Sequence, residues 1–544
     1  MKKKFMLILS LTALLLSIMY MQFSSVEVEA SDSVDPAKIY GVKMLWNNSM
    51  PVNDAAVSKD GNYIAAGNNT GLYYFAYNNS IPRWSYQTES AFLSVAISAD
   101  GNYVAVGLNS GYIYYFANAT TRVGEQFAPT WTTYFLGGAV ERGTMDISDD
   151  GEYVAAGGTG YNVFYYANCT KREGPDQSVT WGHWLPISDI LALDLSPDGK
   201  YLALGGRNSS QGFVAYYKNA NVEPYPTSPD WFSQNSIDSN EIIDLAISDD
   251  GYSVVAIGSY YLTLHYWANA TTLSGDPSAT WMNAGWFGSV DMSADGDNVV
   301  AGSLAVRPSS LHFWSNATMR QGYQIEDWIG LDFAEVFGVA INDDGNIIAA
   351  STYNGTSYKA YFFKSDSNII GEFDLLQYSP LVSMSGSGRI TAIGGPGWDS
   401  LYVFELLVDD NPPTIENIYQ IPVADNVYPN SSVAVYADVT DDYSGVKQVI
   451  LSYTTDNETW VLVNMTKLSG NQYNGTIPQF PYNTNVTYVI TAQDNYNNTI
   501  TTLELGYDLK YHVIPEFTLQ IMLPLFILTT TLAIVLRKRK SVAQ

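Results

Sequence analysis

The sequence predicts an all-β chain, an eight-bladed β-propeller followed by a seven-stranded β-sandwich, with one C-terminal transmembrane helix. Three observations predict it. A unit of the form apolar-x-apolar-Ser-x-Asp-Gly-x-apolar-x-Ala-x-Gly recurs along residues 38–408. Each copy is followed by an aromatic strand and, in all but the last, by a further strand marked by a single large aromatic residue. Past Asp409 the repeat stops, and short alternating strands fill residues 409–510.

Composition sets the frame for these elements. At 544 residues, with 46% apolar content, the chain is too long for one compact core. Its single cysteine, Cys169, rules out an intramolecular disulfide. The net charge of −28 repels phosphate backbones, so no nucleic-acid partner is expected.

The first element is residues 1–30. Lys2, Lys3 and Lys4 precede an uncharged run from Phe5 to Phe23, and Val28-Glu29-Ala30 offers small residues at a cleavage site, which reads as a signal peptide. The propeller follows. Its turn glycines, Gly61, Gly101, Gly151, Gly199, Gly251, Gly296, Gly345 and Gly388, stand 40 to 52 residues apart, the length of a four-stranded blade. Asp-Gly between alternating apolar runs is a hairpin turn, because glycine supplies the positive φ that the turn requires. Small residues fall on each second strand, as in Ala155-Ala156-Gly157, and Tyr, Phe and Trp fall further out, where converging blades leave a wider gap. The outer-strand aromatics are Trp46, Trp84, Trp131, Trp181, Trp231, Trp281, Trp328 and Phe373. The strand around Trp46 precedes every hairpin and the last repeat has no outer strand, so the two are expected to pair and close the ring.

Residues 409–510 read as a sandwich and 511–517 as a stalk. Thr518 to Leu536 is free of charge, about 28 Å long as a helix, and is followed by Arg537-Lys538-Arg539-Lys540, so 518–536 is expected to span a membrane with 537–544 as its cytoplasmic tail. Everything between the two ends is then extracellular, a single-pass cell-membrane protein.

Several motifs resemble known families. Ser196-Pro197-Asp198-Gly199-Lys200-Tyr201-Leu202-Ala203 is similar to the WD40 and YVTN-like propellers, and Pro82-Arg83-Trp84-Ser85-Tyr86 resembles the quinoprotein-type repeats of archaeal surface proteins. The paired Gly-His and Trp-Asp signatures of true WD40 blades are missing, so this resemblance implies a fold and a binding habit and no reaction. Ser444-Gly445-Val446, Trp460 and Tyr488 to Asp494 resemble immunoglobulin-like or fibronectin-III-like modules, which implies a spacer. Pro515-Glu516-Phe517 before the apolar span resembles the PEF-type sorting signal of archaeal surface proteins.

Catalytic chemistry is sparse. His183, His265, His312 and His512 have no metal-ligand spacing, and no nucleophile elbow, phosphate loop or Cys-x-x-Cys occurs, so no catalytic residue is assigned. Asp438, Asp441, Asp442 and Asp494 could gather and bind calcium; otherwise no cofactor is expected. Asn118, Asn168, Asn269 and Asn316, each opening an Asn-x-Thr triplet after a third strand, are candidate glycosylation sites. Second-to-third and fourth-to-first loops vary most between repeats. There Tyr260, Trp286 and Trp398 could stack on a ligand beside Glu141, Asp189, Asp238, Arg207 and Arg307, with Glu89, Glu241, Asp332 and Glu335 adding acid. The expected function is non-enzymatic: adhesion, ligand capture or envelope structure, with envelope glycans or surface proteins as partners. The alternative is an extracellular glycan hydrolase or lyase using carboxylates on the propeller axis.

Overall fold

A computed structural model describes residues 35, 38–516, 523–524 and 526–534, apart from loop positions 126, 135–137, 161, 186–188, 209–210, 235–236, 238–239, 260–262, 305–309, 331–334 and 396–400. The signal-peptide reading therefore lies outside the described residues. The chain divides into two compact units, 1–408 and 409–544.

Among the described residues the first unit holds eight sheets, each with four antiparallel strands; in seven of them these four follow one another along the chain as a meander. Phe92–Ile97, Tyr103–Leu108, Tyr112–Ala117 and Trp131–Tyr134 form a representative one. The first strand of each sheet packs against the first strand of the next, and that of the last sheet against that of the first. The last sheet holds Leu381–Met384, Ile390–Gly394 and Leu401–Val408, and its outer strand is Ile39–Asn48 from the other end of the unit, paired antiparallel with Leu401–Val408.

The repeated Ser-x-Asp-Gly has a local cause. Ser98 Oγ donates to Asp100 Oδ1 at 2.8 Å and accepts the Tyr103 N–H at 3.0 Å, while Asp100 Oδ1 also accepts the Asn102 N–H. Gly101 sits between them at φ +72°, where a side chain would be strained. Serine and aspartate thus satisfy the polar groups of a buried hairpin end.

Side chains that reach from one sheet to the next hold the ring together. The Trp84 indole N–H donates to Ala119 O at 2.8 Å, and Trp46, Trp131, Trp181, Trp231, Trp281 and Trp328 make the equivalent bond to Tyr77, Cys169, Ala220, Ala270, Ala317 and Ser365. Phe373, which has no N–H, packs instead on Phe404 with ring centroids 5.0 Å apart. On the third strands, the hydroxyls of Tyr74, Tyr115, Tyr165, Tyr216 and Tyr266 donate to the carbonyls of the next turn glycine. The inner strands leave little room: a Cβ on Gly107 would lie 2.3 Å from Val140.

The second unit carries two sheets around one shared core. One orders Thr414–Ile421, Val433–Thr440, Gln472–Ile477 and Thr466–Lys467; the other orders Val461–Asn464, Val446–Thr454, Asn485–Asp494 and Thr499–Thr501, with Lys510–His512 also on Asn485–Asp494. Alternate residues of Val433–Thr440 are buried, the signature of a sheet with one wet face. The described residues thus hold nine strands here where the pattern suggests seven; the extra ones include Thr466–Lys467 and Thr499–Thr501, too short to show a period of two. Among the described residues no helix is long and apolar enough to cross a membrane. Residues 523–524 and 526–534 are helical, and Leu523, Phe526, Leu528 and Leu532 on them are exposed.

Candidate functional site: an acidic cavity on the axis of the first unit

The first strands surround a cavity of about 430 Å³ lined by Asp54, Asp146, Asp194, Asp244 and Asp291, together with Ser289 and Arg142. Each of the five aspartates sits two or four residues before the turn serine of its repeat, on the face of the innermost strand where other repeats carry Ala, Ser, Thr, Gly or Leu. They share one hydrogen-bonding pattern. One oxygen accepts the N–H of the following residue and the other an N–H of the next sheet: Val95 for Asp54, Leu195 for Asp146, Ile247 for Asp194, Val290 for Asp244 and Ile341 for Asp291, all at 2.7 to 3.0 Å. Ser383 Oγ accepts the Val57 N–H at 3.0 Å and so links the last sheet to the first.

Burial disfavours the charged form of these groups. It pushes Asp54 and Asp291 up to about 7 and Asp146 and Asp244 up to about 6, against the lowering effect of the N–H bonds. Asp194 is raised well above the carboxylate range by burial and by the neighbouring Asp146 charge.

At the Asp-Gly end of the first strands, beyond the residues that line the cavity, one lysine gathers three acids. Lys59 Nζ lies 3.0 Å from Asp249, 3.4 Å from Asp343 and 3.6 Å from Asp149. These three acids come from the third, fifth and seventh sheets. Burial acts against the ammonium, and the three carboxylates outweigh it, holding Lys59 above its ordinary value. Around this lysine, backbone bonds join seven of the eight sheet junctions, for instance Ala99 N–H to Asp149 O and Gly386 N–H to Lys59 O. The eighth falls at Pro197, which has no N–H to give.

The cavity opens at the fourth-to-first connections, to which Arg142, Gly143 and Pro380 belong. Of the residues singled out there by sequence, Trp286 is exposed at 59%. Asp189 and Glu241 are tied to Arg207 at 2.6 and 3.4 Å, so these three form an ion-paired patch and none of them lines the cavity. Glu141 lies beside the mouth, its carbonyl accepting the Thr144 hydroxyl. Glu89 is exposed and Glu335 half-buried. Tyr260, Asp238, Arg307, Asp332 and Trp398 lie outside the described residues. Trp184, exposed at 79% as the last residue of a fourth strand, was not singled out by sequence, nor were the axial aspartates. An aspartate on the same face of the inner strand in five of eight repeats was the signal available for them.

The four sequon asparagines stand on the opposite rim. Asn118, Asn168, Asn269 and Asn316 are all exposed, at φ 51 to 57°, each opening a single turn of 3-10 helix. The turn next to it lies alongside: Thr120 Oγ1 donates to Asn102 Oδ1 at 3.0 Å, and Asn102 follows turn residue Gly101. Asparagine tolerates this left-handed conformation, so the repeated motif has a conformational cause as well. Cys169 and two of the four histidines are packed away, while His183 and His512 are half-buried. Cys169 is fully buried, with burial raising its thiol, and His265 and His312 lie in the aromatic layers. His312 Nδ1 is 2.7 Å from Glu326.

In the second unit, the four proposed calcium ligands separate. Asp441 and Asp494 come together with Asp409, with one ligand atom of each within 4.8 Å of the others. Asp438 points elsewhere and accepts from Asn417 Nδ2 at 2.9 Å; Asp442 is exposed in the turn. Period-two alternation puts Asp438 on the wet face of its strand, which removes it from the set. Asp409, at the start of the linker, replaces it. The trio is already served by protein donors: Gly445 N–H on Asp441, Ser444 N–H on Asp409, and Tyr496 and Asn498 N–H on Asp494. These oxygens could hold a hard cation.

No protein-family model matches the chain, and no curated protein matches it. Solved structures do. The C-terminal WD40 domain of Sif2 superposes with a TM-score of 0.50 at 12% identity, covering 68% of this chain and 99% of that one. Sqt1 from Chaetomium thermophilum gives 0.52 at 13% identity, covering 66% and 97%. The fold is that of WD40-type β-propellers. At such identities the likeness extends to the fold alone.

Proposed function

We propose that the chain is a non-enzymatic binding module, an eight-bladed propeller whose open rim captures a partner at the cell surface. The observation that carries this reading is a set of exposed side chains, two of them tryptophans, where fourth strands end: Tyr134 at 49%, Trp184 at 79%, Trp286 at 59% and Leu376 at 78%. Exposed tryptophans presented by the connections of a rigid scaffold favour an interaction site. The partner class is an envelope glycan or surface protein. The second unit is read as an immunoglobulin-like spacer, and 518–536 as the membrane anchor of an archaeal-type surface protein with a PEF signal. The exposed apolar residues of the helix at 526–534 support the anchor. The four exposed asparagines on the other rim are read as glycan carriers, which mass spectrometry of native glycopeptides checks. Replacing both Trp184 and Trp286 by alanine is expected to reduce retention of the protein on isolated envelopes at least tenfold with an unchanged melting temperature. Unchanged retention would remove the rim as the binding face.

One observation favours a second reading. Carboxyl groups held near neutral pKa in a deep cavity are what a glycan hydrolase or lyase uses. Against it, every one of the five is already engaged by two backbone N–H groups as an inter-sheet link. Release of reducing sugar from envelope glycans, abolished by Asp291→Asn, would establish the enzyme.

A further inference from the structure

We propose that the axial cavity takes an extended alkyl chain carrying two ammonium groups, end-on from the open rim. This deepens the binding-module reading and rests on it only for access through that rim.

The carboxylates stand in two storeys. Asp54 and Asp244 lie four residues before the turn serine, in the first and fifth sheets, which face each other across a ring of eight. Asp146, Asp194 and Asp291 lie two residues before it and therefore deeper. Two residues of strand separate the storeys by about 6–7 Å. Two ammonium nitrogens joined by four methylenes are about 6 Å apart when extended. The spacing of the storeys thus matches a diamine, and a single amine could reach only one of them.

Three further observations point to an ammonium. The same axis already seats one, Lys59 Nζ, among the carboxylates of Asp149, Asp249 and Asp343. In the upper storey Ser94 holds the register position of Asp54 and Asp244, is 1% exposed, and its hydroxyl oxygen has no hydrogen-bond partner. An ammonium brings three donors and could be shared by two or three carboxylates. Asp54 in the upper storey and Asp291 in the lower one each use two of roughly four acceptor sites on backbone N–H groups, which leaves the others for a ligand, whereas Asp146 and Asp194 also hydrogen-bond each other and Asp244 also bonds Ser289. Arg142 is the single cationic side chain among the described residues lining the cavity, and it stands at the mouth.

Buried carboxylates without a cation hold protons here, so an entering diamine must displace them. With Asp54 and Asp291 at about 7 and Asp146 and Asp244 at about 6, uptake should weaken as pH falls from 7.5 to 5.5.

The test is calorimetric titration of the full chain with 1,4-diaminobutane, with butylamine and with a blocked Lys-Lys peptide. The diamine is expected to bind one per chain at pH 7.5, at least tenfold more tightly than butylamine and at least tenfold more tightly than at pH 5.5. Asp54→Asn with Asp244→Asn should cost a further tenfold. If that variant does not fold, the butylamine comparison and the pH profile of the unaltered protein decide. Equal binding by the peptide would assign the seat to lysines of a protein partner, and binding by the diamine alone to a free polyamine; both support the site. No heat at millimolar diamine, equal affinity for butylamine, or a flat pH profile overturns it. Envelope retention lost in the Trp184/Trp286 variant would then still stand, so the two readings fail separately.

Discussion

Trp84 shows how much of this molecule one side chain can carry. Its ring stacks on Tyr74 with centroids 5.1 Å apart, and its N–H reaches across to Ala119 O in the next sheet, both fully out of solvent. The chain contains its own comparison at Phe373, where the ring is kept and the hydrogen bond is not. Trp84→Phe should therefore retain the fold and lose about 1–2 kcal/mol, since a buried carbonyl gives up its short bond and keeps only the longer one from the Arg122 N–H at 3.3 Å. Trp84→Ala should lose about 3–5 kcal/mol by opening a cavity. Urea unfolding of the two variants checks the order; equal losses would mean that the hydrogen bond adds nothing. Tryptophan at this position was legible from sequence because it recurs once per repeat. Its hydrogen-bond partner was not, because the acceptor is a main-chain carbonyl and no residue type marks it. The axial aspartates were hidden for a related reason. Taken singly, each is one polar residue in an alternating strand, and only alignment of all eight repeats on their turns shows that five share a face. Asp409 escaped the calcium set because its chain position reads as linker, whereas Asp494 and Asp441, lying in strand-end and turn patterns, could be read.

At the scale of the element, the strand Ile39–Asn48 does the most with the least. It supplies the outer edge of the last sheet, places Trp46 Nε1 2.7 Å from Tyr77 O of the first sheet, and brings Lys43 Nζ to 2.9 Å from Glu405. Glu405 is buried and is also held by Arg389 at 3.1 Å, and the two cations lower its pKa against the effect of burial. Deleting residues 38–47 would expose the edge of Leu401–Val408, break the Trp46 link and leave Glu405 with one cation. A steep fall in melting temperature with soluble aggregates is expected by scanning calorimetry and light scattering; an unaltered melt would show that the strand is dispensable. The sequence argument for this strand was a count: eight outer aromatics, one ahead of every hairpin and none after the last repeat. Short strands such as Gly322–Tyr323 and Gly124–Glu125, which extend two sheets by parallel pairing, had no such signal. Two residues cannot show a period.

Over the whole first unit, five axial carboxyl groups titrate in the same direction, and their combined effect on stability has a definite sign. Their folded values, about 6 for Asp146 and Asp244 and about 7 for Asp54 and Asp291, stand above the ordinary unfolded carboxylate value near 4. The folded state then binds more protons than the unfolded one between these limits, so stability is greatest below pH 4–5 as far as these groups are concerned and is lost as pH rises through 6 and 7. Other carboxylates act oppositely: Asp456, held down to about 2 by backbone N–H groups, and Glu405 give up their contribution only in stronger acid. Between pH 7.5 and 5 the raised group dominates, because the lowered ones remain ionised throughout. The overall charge of −28 works with it, since each proton taken up also relieves repulsion across an acidic surface. The melting temperature of the first unit should therefore rise by several degrees on acidification from pH 7.5 to 5. Added salt separates the two causes, because screening removes long-range repulsion and leaves buried groups little affected. Substituting Asp291 by asparagine, which is neutral at every pH, should flatten the profile even in high salt. A profile that salt alone abolishes, or that Asp291→Asn leaves unchanged, would place the pH dependence on the surface and remove the axial carboxyls as its origin.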